Sequence, residues 1–343
     1  MLRFGTDGVR GVALTELTID DVTALGRAAV EVLGGGTWLV GRDTRESGPE
    51  LEAALVRGLC AAGASVQRLG VVPTPAVAFH AAARGLPAAM ITASHNPYHD
   101  NGVKFFGAGG LKLSDAVERS IEAAAVAAVD AAAGSASALS ADAVCSTDAE
   151  AGMHTDGSGA GAAYVAHITG LFPAGALTGM SVVLDCANGA MSGVAPAAVA
   201  ALGADVQVIH AEPDGRNIND RCGATHTASL TAAVVAAGAD AGLAFDGDGD
   251  RVIAVDATGA VVDGDRMIAL GALQLHAEGA LTADTVVVTV MTNLGFHRAM
   301  QEAGIHVIAT AVGDRYVLEA LDAGDYSIGG EQSGHVIYRH LAT

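Results

Sequence analysis

The run at residues 246–251 constrains this chain most, because three aspartates alternate there with two glycines before an arginine. It directly follows an apolar stretch at 241–245, which predicts a short buried strand. Three carboxylates at a strand end repel one another unless a positive charge holds them together. A hard divalent cation meets that need, and Mg²⁺ is the expected ion, bound by Asp246, Asp248 and Asp250. The glycines let the backbone bend so that these carboxylates converge.

Two alternative interpretations of this run are a solvated turn and an EF-hand loop. Three carboxylates beside Arg251 are dense for an ordinary Asp/Gly turn. An EF-hand loop requires glycine at its sixth position and glutamate at its twelfth, where this chain has Arg251 and Ala257. The pattern therefore favours a carboxylate-bound divalent cation over both alternatives.

A second polar segment, residues 92–104, follows a predicted strand at 88–91. Pro97 biases the residue before it toward an extended conformation, so a helix does not start there. Ser94 then lies at a strand exit, where nucleophiles and phosphoacceptors are commonly presented. This segment alone fits an ordinary polar loop equally well.

Lysine usage adds weight to the second segment. The 343 residues include 18 Lys and Arg, of which only Lys104 and Lys112 are lysines. Lys104 lies within ten residues of Ser94, together with two of the few asparagines. Because the ammonium group is a compact point charge that arginine does not replace, this placement indicates specific hydrogen-bond donors near Ser94.

The formal net charge of −20 disfavours nucleic acids and anionic membrane surfaces as partners. An anionic substrate must therefore be attracted by a local basic pocket. The N-terminus has no apolar signal core, and no run of 18 strongly apolar residues occurs, so we expect a cytoplasmic protein without a membrane span. Candidate members of the basic pocket are Arg10, Arg42, Arg45, Lys104, Arg216, Arg251 and Arg315.

Strand-like and helix-like runs alternate along the chain, which predicts an α/β protein, and the length predicts two or three domains. The segment 134–161, rich in Gly, Ser, Ala and Asp, is interpreted as the first interdomain connection. We therefore predict domains at 1–150, 151–257 and 258–343. Within the first, Ser47 to Glu50 reads as a capping box that begins a helix.

Two further loops in the last predicted domain carry polar side chains, at residues 311–315 and 329–335. Glycine-rich loops with Glu, Ser and His suit the recognition of sugar hydroxyls. An ordinary turn is at least as good an interpretation of each loop alone.

Four separated loops together resemble the α-D-phosphohexomutase superfamily, and the resemblance covers essentially the whole chain. The loops are FGTDGVRG at 4–11, TASHNP at 92–97, DGDGDR at 246–251 and GEQSGH at 330–335. The first of them, together with PDGRNIN at 213–219, most closely resembles the bacterial phosphoglucosamine mutase branch. The resemblance implies three consecutive α/β domains with mixed sheets sandwiched by helices, and an active site in the cleft between them.

The resemblance also implies an isomerase with a phosphoserine at Ser94. The enzyme would interconvert glucosamine 6-phosphate and glucosamine 1-phosphate for cell-wall amino-sugar synthesis. Glucosamine 1,6-bisphosphate would be both intermediate and activator, and Mg²⁺ would be bound by the phosphorylated serine and the three aspartates. The implied catalytic residues are Ser94, Arg10, His95, Lys104 and Arg251; the implied substrate contacts are Asp314, Arg315, Glu331, Ser333 and His335.

The resemblance leaves several alternatives open. Phosphomannomutases and phosphoglucomutases share this chemistry, and an aspartyl-phosphate phosphatase would use Asp246 or Asp248 as its nucleophile. Family members carry a fourth, C-terminal domain that grips the distal phosphate; we expect it to be missing and the third domain to be incomplete. A sugar-phosphate-binding module without turnover is therefore a further alternative. Association into a homodimer is a candidate oligomeric state.

Overall fold

The alternating strands and helices form three sheets in the computed structural model, which describes residues 3–5, 7–134 and 158–339. The prediction of three α/β domains with mixed sheets is confirmed. The predicted boundary at 150/151 lies outside the described residues. None of the helices in the described ranges is long and apolar enough to cross a lipid bilayer.

Within the described ranges, the first sheet has six strands in the order β1-β2-β6-β5-β3-β4. The parallel pairs β3–β4 and β3–β5 form its centre and one edge, while β6 runs antiparallel to both β5 and β2. The strands are β1 Phe4–Gly5, β2 Gly8–Val12, β3 Gly36–Arg42, β4 Ala64–Val71, β5 Ala88–Ile91 and β6 Asp100–Phe106.

Helices cover both faces of the first sheet. Three of them, α1, α2 and α4, pack around Trp38 and Leu55, which are both buried, on one face. The other two, α3 and α5, pack with Met90 and Tyr164 on the opposite face. The helices are α1 Ile19–Leu33, α2 Gly48–Ala61, α3 Thr74–Arg84, α4 Asp115–Gly134 and α5 Ser158–Gly170.

Helices α1 and α2 approach closely because Gly58 of α2 lies against the backbone of α1. A Cβ atom on Gly58 would lie 2.1 Å from the carbonyl oxygen of Thr23. We therefore expect Gly58→Ala to force the helices apart and to lower the free energy of unfolding by about 1–3 kcal/mol. Gly35→Ala is the control, since its Cβ would meet nothing within 4 Å. Urea unfolding would contradict this prediction if both variants had the wild-type midpoint.

Within the described ranges, the second sheet has five strands in the order β11-β10-β9-β7-β8. Helix α7 (Ala228–Ala237) covers one face and α6 (Ala195–Ala201) the other. Strand β11 pairs with β10, so this sheet extends past the predicted boundary at residue 257. The strands are β7 Ser181–Asp185, β8 Asp205–Ile209, β9 Ala241–Phe245, β10 Val252–Asp256 and β11 Val261–Val262.

Within the described ranges, the third sheet has four strands in the order β13-β12-β14-β15. Helices α8 and α9 pack on one face and α10 on the other. The strands are β12 Thr285–Thr289, β13 His306–Thr310, β14 Ile328–Gly330 and β15 Val336–Tyr338, and the helices are α8 Gly264–Ala277, α9 Leu294–Glu302 and α10 Asp314–Gly324.

Two local predictions for the first domain were wrong. Ser47 precedes α2 but makes no capping hydrogen bond; its hydroxyl instead accepts one from the Asn101 amide. The polar segment 92–104 is not a loop throughout, because β6 already begins at Asp100. In both cases a tertiary contact competes with the local pattern: β6 pairs with β2 and β5, and it brings Asn101 to Ser47.

Candidate active site

Ser94 lies just beyond the end of β5, in a turn that is fixed by its neighbours. The Ser94 amide donates to the Thr92 hydroxyl (2.9 Å), which in turn donates to a carboxylate oxygen of Asp43 (2.7 Å). Ser94 has a left-handed backbone conformation (φ 53°), which is uncommon for a non-glycine residue and is found at functional sites. The side chain is fully buried, and its hydroxyl donates to Asp246 at 2.6 Å.

A buried arginine holds this turn through hydrogen bonds to its backbone. Arg45 is fully buried and pairs with Asp43 at 2.6 Å. The same guanidinium donates to the backbone carbonyls of Ser94 (3.1 Å) and Asn96 (2.5 Å). The amide of Asn219, from the second domain, donates to the same two carbonyls at 2.9 and 3.0 Å. The Ser94 turn is therefore held from both sides of the interdomain contact.

The acidic run follows β9 and meets the Ser94 turn. The two segments touch at Gly247, where an added Cβ would lie 2.6 Å from the Ser94 carbonyl oxygen. Asp246, Asp248 and Asp250 each offer a carboxylate oxygen, and these oxygens lie within 4.8 Å of one another. The predicted convergence of the three aspartates is thus present in the structure.

Lys104 of β6 reaches this carboxylate cluster across the domain interface. Its ammonium group lies 2.8 Å from Asp248, 2.9 Å from Asp250 and 2.8 Å from Asp7. Burial acts to lower the pKa of Lys104, but these carboxylates outweigh it and raise that pKa well above its ordinary value. Lys104 is therefore permanently charged and neutralises part of the cluster.

The remaining charge of the cluster fits a divalent cation. Burial, with the neighbouring Asp250 and Asp248, raises the pKa of Asp246 well above its ordinary value, so the lysine alone does not satisfy the three carboxylates. One oxygen each of Asp248 and Asp250 is buried and has no hydrogen-bond partner among the described residues. Hard oxygen donors in this arrangement fit Mg²⁺.

His95 and two arginines line the other side of Ser94. The guanidinium of Arg251 donates to the Nδ1 atom of His95 at 2.8 Å, and that atom lies 3.5 Å from the Ser94 hydroxyl. Burial, with Arg251 and Arg10 nearby, lowers the pKa of His95, so its ring is neutral at pH 7. Arg10 is paired with Asp7. The Nε–H groups of both arginines are buried without hydrogen-bond partners among the described residues, although the Arg251 Nε lies 3.9 Å from Asp250.

The polar loops of the third domain join this site through a lysine. Lys112 lies 2.6 Å from Asp7 and 2.5 Å from Asp314, and His335 lies 3.3 Å from Asp314. Glu331 accepts a hydrogen bond from the Gly313 amide, 2.9 Å away. On the same loop, the Ser333 hydroxyl donates to Glu331 at 3.4 Å. Three of the predicted sugar contacts therefore share one loop, and His335 connects this loop to Asp314.

Arg315 has a different environment from the other predicted substrate contacts. Its guanidinium is buried and pairs with Asp115 and, at 2.7 Å, with Glu118 at the start of α4. These contacts join the third domain to the first. The structure therefore places Arg315 in an interdomain ion pair, whereas the sequence had suggested a sugar contact.

We expect Arg315→Gln and Glu118→Gln to be coupled, because Arg315→Gln leaves the buried Glu118 without its cation, and Glu118→Gln leaves Arg315 with only the half-exposed Asp115. A double-mutant cycle on the free energy of unfolding should give a coupling energy of about 1–3 kcal/mol. Arg339→Gln, which breaks the half-exposed pair with Asp322, is the control. Additive effects of the Arg315 and Glu118 changes on the free energy of unfolding would contradict a stabilising interdomain ion pair between these residues.

The sequence analysis missed several residues that shape the site. Asp7 and Asn219 lie in motifs that were recognised, but no role was predicted for either, and no site role was predicted for Lys112 or Asp43. The scarcity of lysine was a usable signal for Lys112, since both lysines of the chain contact Asp7. The motif that contains Asn219 did not indicate its partners, which lie more than 120 positions away.

Models of the phosphoglucomutase/phosphomannomutase family match three consecutive parts of the chain. Domain I matches residues 1–131, domain II residues 162–259 and domain III residues 263–343. Phosphoglucosamine mutases from Frankia casuarinae and Rhodococcus jostii are 53% and 51% identical to this chain. Each alignment covers 99% of this chain, and it covers 74% and 75% of the respective relative.

Solved structures agree with this assignment. A phosphoglucomutase/phosphomannomutase family protein from Burkholderia thailandensis has a TM-score of 0.79 and 28% identity, over 97% of this chain and 72% of its own. N-acetylphosphoglucosamine mutase from Aspergillus fumigatus, solved with GlcNAc-6P and magnesium, has a TM-score of 0.63 at 18% identity, which supports the fold alone; the match covers 98% of this chain and 67% of its own. The resemblance inferred from four loops is thus confirmed, and this chain belongs to the phosphoglucomutase/phosphomannomutase family, a family of isomerases within the α-D-phosphohexomutases.

Proposed function

We propose that this protein is a phosphoglucosamine mutase, which interconverts glucosamine 6-phosphate and glucosamine 1-phosphate through a phosphoserine at Ser94. The observation that carries the proposal is the buried Ser94 hydroxyl, 2.6 Å from Asp246 and surrounded by carboxylates and cations. Relatives that are about half identical and are phosphoglucosamine mutases support glucosamine as the sugar. The proposed activator is glucosamine 1,6-bisphosphate.

The proposed metal ligands are Asp246, Asp248 and Asp250, together with an oxygen of phosphorylated Ser94. Mg²⁺ held there would neutralise charge on the phosphoryl group and so make its phosphorus more electrophilic. The unpartnered buried oxygens of Asp248 and Asp250 support this assignment. Lys104 holds the same two carboxylates in place through their other oxygens.

In the first half of the proposed reaction, the O1 hydroxyl of the sugar attacks the phosphorus on Ser94. The bond between phosphorus and the serine Oγ breaks, a bond to O1 forms, the sugar hydroxyl loses its proton, and the serine Oγ takes one up. The proposed proton-transfer group on the serine side is His95, whose Nδ1 atom lies 3.5 Å from the Ser94 hydroxyl and accepts a hydrogen bond from Arg251. Arg10 and Arg251, whose buried Nε–H groups have no described hydrogen-bond partner, are the proposed cations that stabilise the charge of the phosphoryl group.

In the second half, the bisphosphate turns over and presents its O6 phosphoryl group to Ser94. The bond from phosphorus to O6 breaks, the bond to the Ser94 Oγ forms again, the serine hydroxyl loses its proton, and O6 takes one up. Both halves use one set of charged groups, so this catalysis is largely positioning and electrostatic stabilisation. Glu331, Ser333 and His335 are the proposed contacts to the sugar hydroxyls in either orientation.

The proposal is tested by incubating the full chain with glucosamine 1,6-bisphosphate and Mg²⁺, followed by intact mass measurement and peptide mapping. We expect one added phosphoryl group on Ser94, its loss in Ser94→Ala, and its retention in Ser120→Ala, which alters an exposed helix serine. A hydroxylamine-sensitive phosphate on Asp246 or Asp248 would instead indicate an aspartyl-phosphate phosphatase. Sugar binding without any protein phosphorylation would indicate a binding module.

The sugar is tested separately by comparing kcat/KM for glucosamine, glucose and mannose 6-phosphates. A preference for glucose or mannose phosphate would favour a phosphoglucomutase or phosphomannomutase. The expected partner is the phosphosugar, not nucleic acid, given the net charge of −20. A cytoplasmic location and a homodimer stay predictions.

A further inference from the structure

A second group of metal-binding side chains lies in the second domain, outside the Ser94 site. Asp185 is the last residue of β7, His210 directly follows β8, and Cys222 lies in the long return loop before α7. Their Oδ, Nδ1 and Sγ atoms all lie within 4.8 Å of one another. Asp185 and His210 thus lie at the carboxyl ends of two parallel strands. The loop brings Cys222, which is 37 positions after Asp185, next to them.

The ligand atoms of this group form few hydrogen bonds within the described part of the chain. Asp185 is fully buried, and its carboxylate accepts only the backbone amides of Ala187 and Gly223 among the described hydrogen bonds. The Nδ1 atom of His210 lies 3.1 Å from that carboxylate, yet it is buried and has no hydrogen-bond partner in the described part of the chain. Cys222 is a free, fully buried thiol.

We propose that Asp185, His210 and Cys222 form a second metal site, which binds Zn²⁺. A sulfur, a nitrogen and an oxygen donor form a set that zinc prefers and that Mg²⁺ does not. One carboxylate and one thiolate balance the two charges of the ion, so the filled site is neutral. The His210 side chain is one-third exposed, so this group of residues lies near the protein surface.

Binding at this site exchanges a proton for the metal. Burial, together with Asp185 and Asp220, raises the pKa of Cys222 to about 12, so the thiol is protonated when the site holds no metal. On binding, the S–H bond breaks, a sulfur–zinc bond forms, and one proton leaves to solvent. Apparent zinc affinity therefore rises with pH.

The position of the site gives it a connection to Ser94. The loop that joins His210 to Cys222 also carries Asn219, whose amide holds the Ser94 and Asn96 carbonyls. Asn219, like His210, has a left-handed backbone conformation, so the loop turns sharply at both residues. A zinc ion that joins both ends of the loop would stabilise the clamp on the Ser94 turn.

The test uses Co²⁺ as a spectroscopic probe on the full chain after treatment with a chelator, in excess Mg²⁺ to saturate the acidic cluster. We expect one equivalent of Co²⁺ to give a thiolate-to-cobalt charge-transfer band, which added Zn²⁺ abolishes. The band should disappear in Cys222→Ser. It should require at least about tenfold more Co²⁺ in His210→Asn, since asparagine tolerates the left-handed backbone.

Cys186→Ser is the matched control, because Cys186 is a neighbouring buried free thiol that packs with Leu184 and Phe245 in a separate apolar cluster. Its band should equal that of the wild type. The absence of a charge-transfer band in the wild type, or a band that persists in Cys222→Ser, would overturn the proposal. Neither outcome bears on Ser94 phosphorylation, so this test is independent of the proposed mutase function. If Cys222→Ser does not fold, the His210→Asn titration decides.

Discussion

Replacing Ser94 with alanine is expected to lower the kcat for glucosamine 6-phosphate by about 10⁴-fold or more, because the variant has no oxygen to carry the phosphoryl group. KM should change far less, since the cations and the third-domain loop that bind the substrate remain. Steady-state turnover in a coupled assay measures both constants. Circular dichroism melting should show that the variant is folded, because the Arg45 and Asn219 contacts at this position are to the backbone.

Ser120→Ala is the control for this prediction. Its hydroxyl donates only to a backbone carbonyl of its own helix, far along the chain from the site. We expect its kcat to stay within about twofold of the wild type, as surface substitutions rarely matter. Appreciable turnover by Ser94→Ala would eliminate Ser94 as the phosphoryl carrier and would direct attention to Asp246.

Replacing Arg45 with methionine is expected to be the most destabilising single change in the first domain. The variant leaves Asp43 fully buried without its cation, and burial already raises the pKa of Asp43. Breaking a buried ion pair from one side costs about 3–5 kcal/mol. The Ser94 turn also loses two donors to its carbonyls, so phosphorylation of Ser94 should slow as well.

Arg216→Met is the matched control, since Arg216 pairs with Glu46 at the surface. Both variants remove one arginine from an ion pair, but only Arg45 is buried. Urea unfolding followed by tryptophan fluorescence is a suitable measurement, because the single Trp38 lies in the core of the first domain. Equal unfolding midpoints for the two variants would contradict a structural role for Arg45.

The candidate basic pocket illustrates how far composition can predict a site. Of its seven members, Arg10, Lys104 and Arg251 do converge around Ser94. Arg45 lies beneath the turn, and Arg315 joins two domains. The charge of a side chain is visible in the sequence, but its partner is not, because ion pairs form between residues up to 200 positions apart.

The sequence by itself singled out the main polar groups that the structure brings together at the candidate active site. Ser94, the three aspartates and Lys104 were found because charged and nucleophilic groups at strand ends are chemically conspicuous in a chain that is 51% hydrophobic. Strand ends are predictable from local apolar runs, as for β5 and β9. The four loops also identified the family, because their residues and their order along the chain can be read without a structure.

Only the tertiary structure decided how these groups are held and which charges neutralise one another. The packing of the three domains determines three sets of contacts: the hydrogen bonds from Asn219 to the Ser94 turn, the pairing of Asp7 with two lysines, and the interdomain ion pair of Arg315. The Asp185, His210 and Cys222 cluster arises in the same way, from strand order and not from spacing. Electrostatic energy depends on distance and burial, and neither quantity is encoded in any short stretch of sequence.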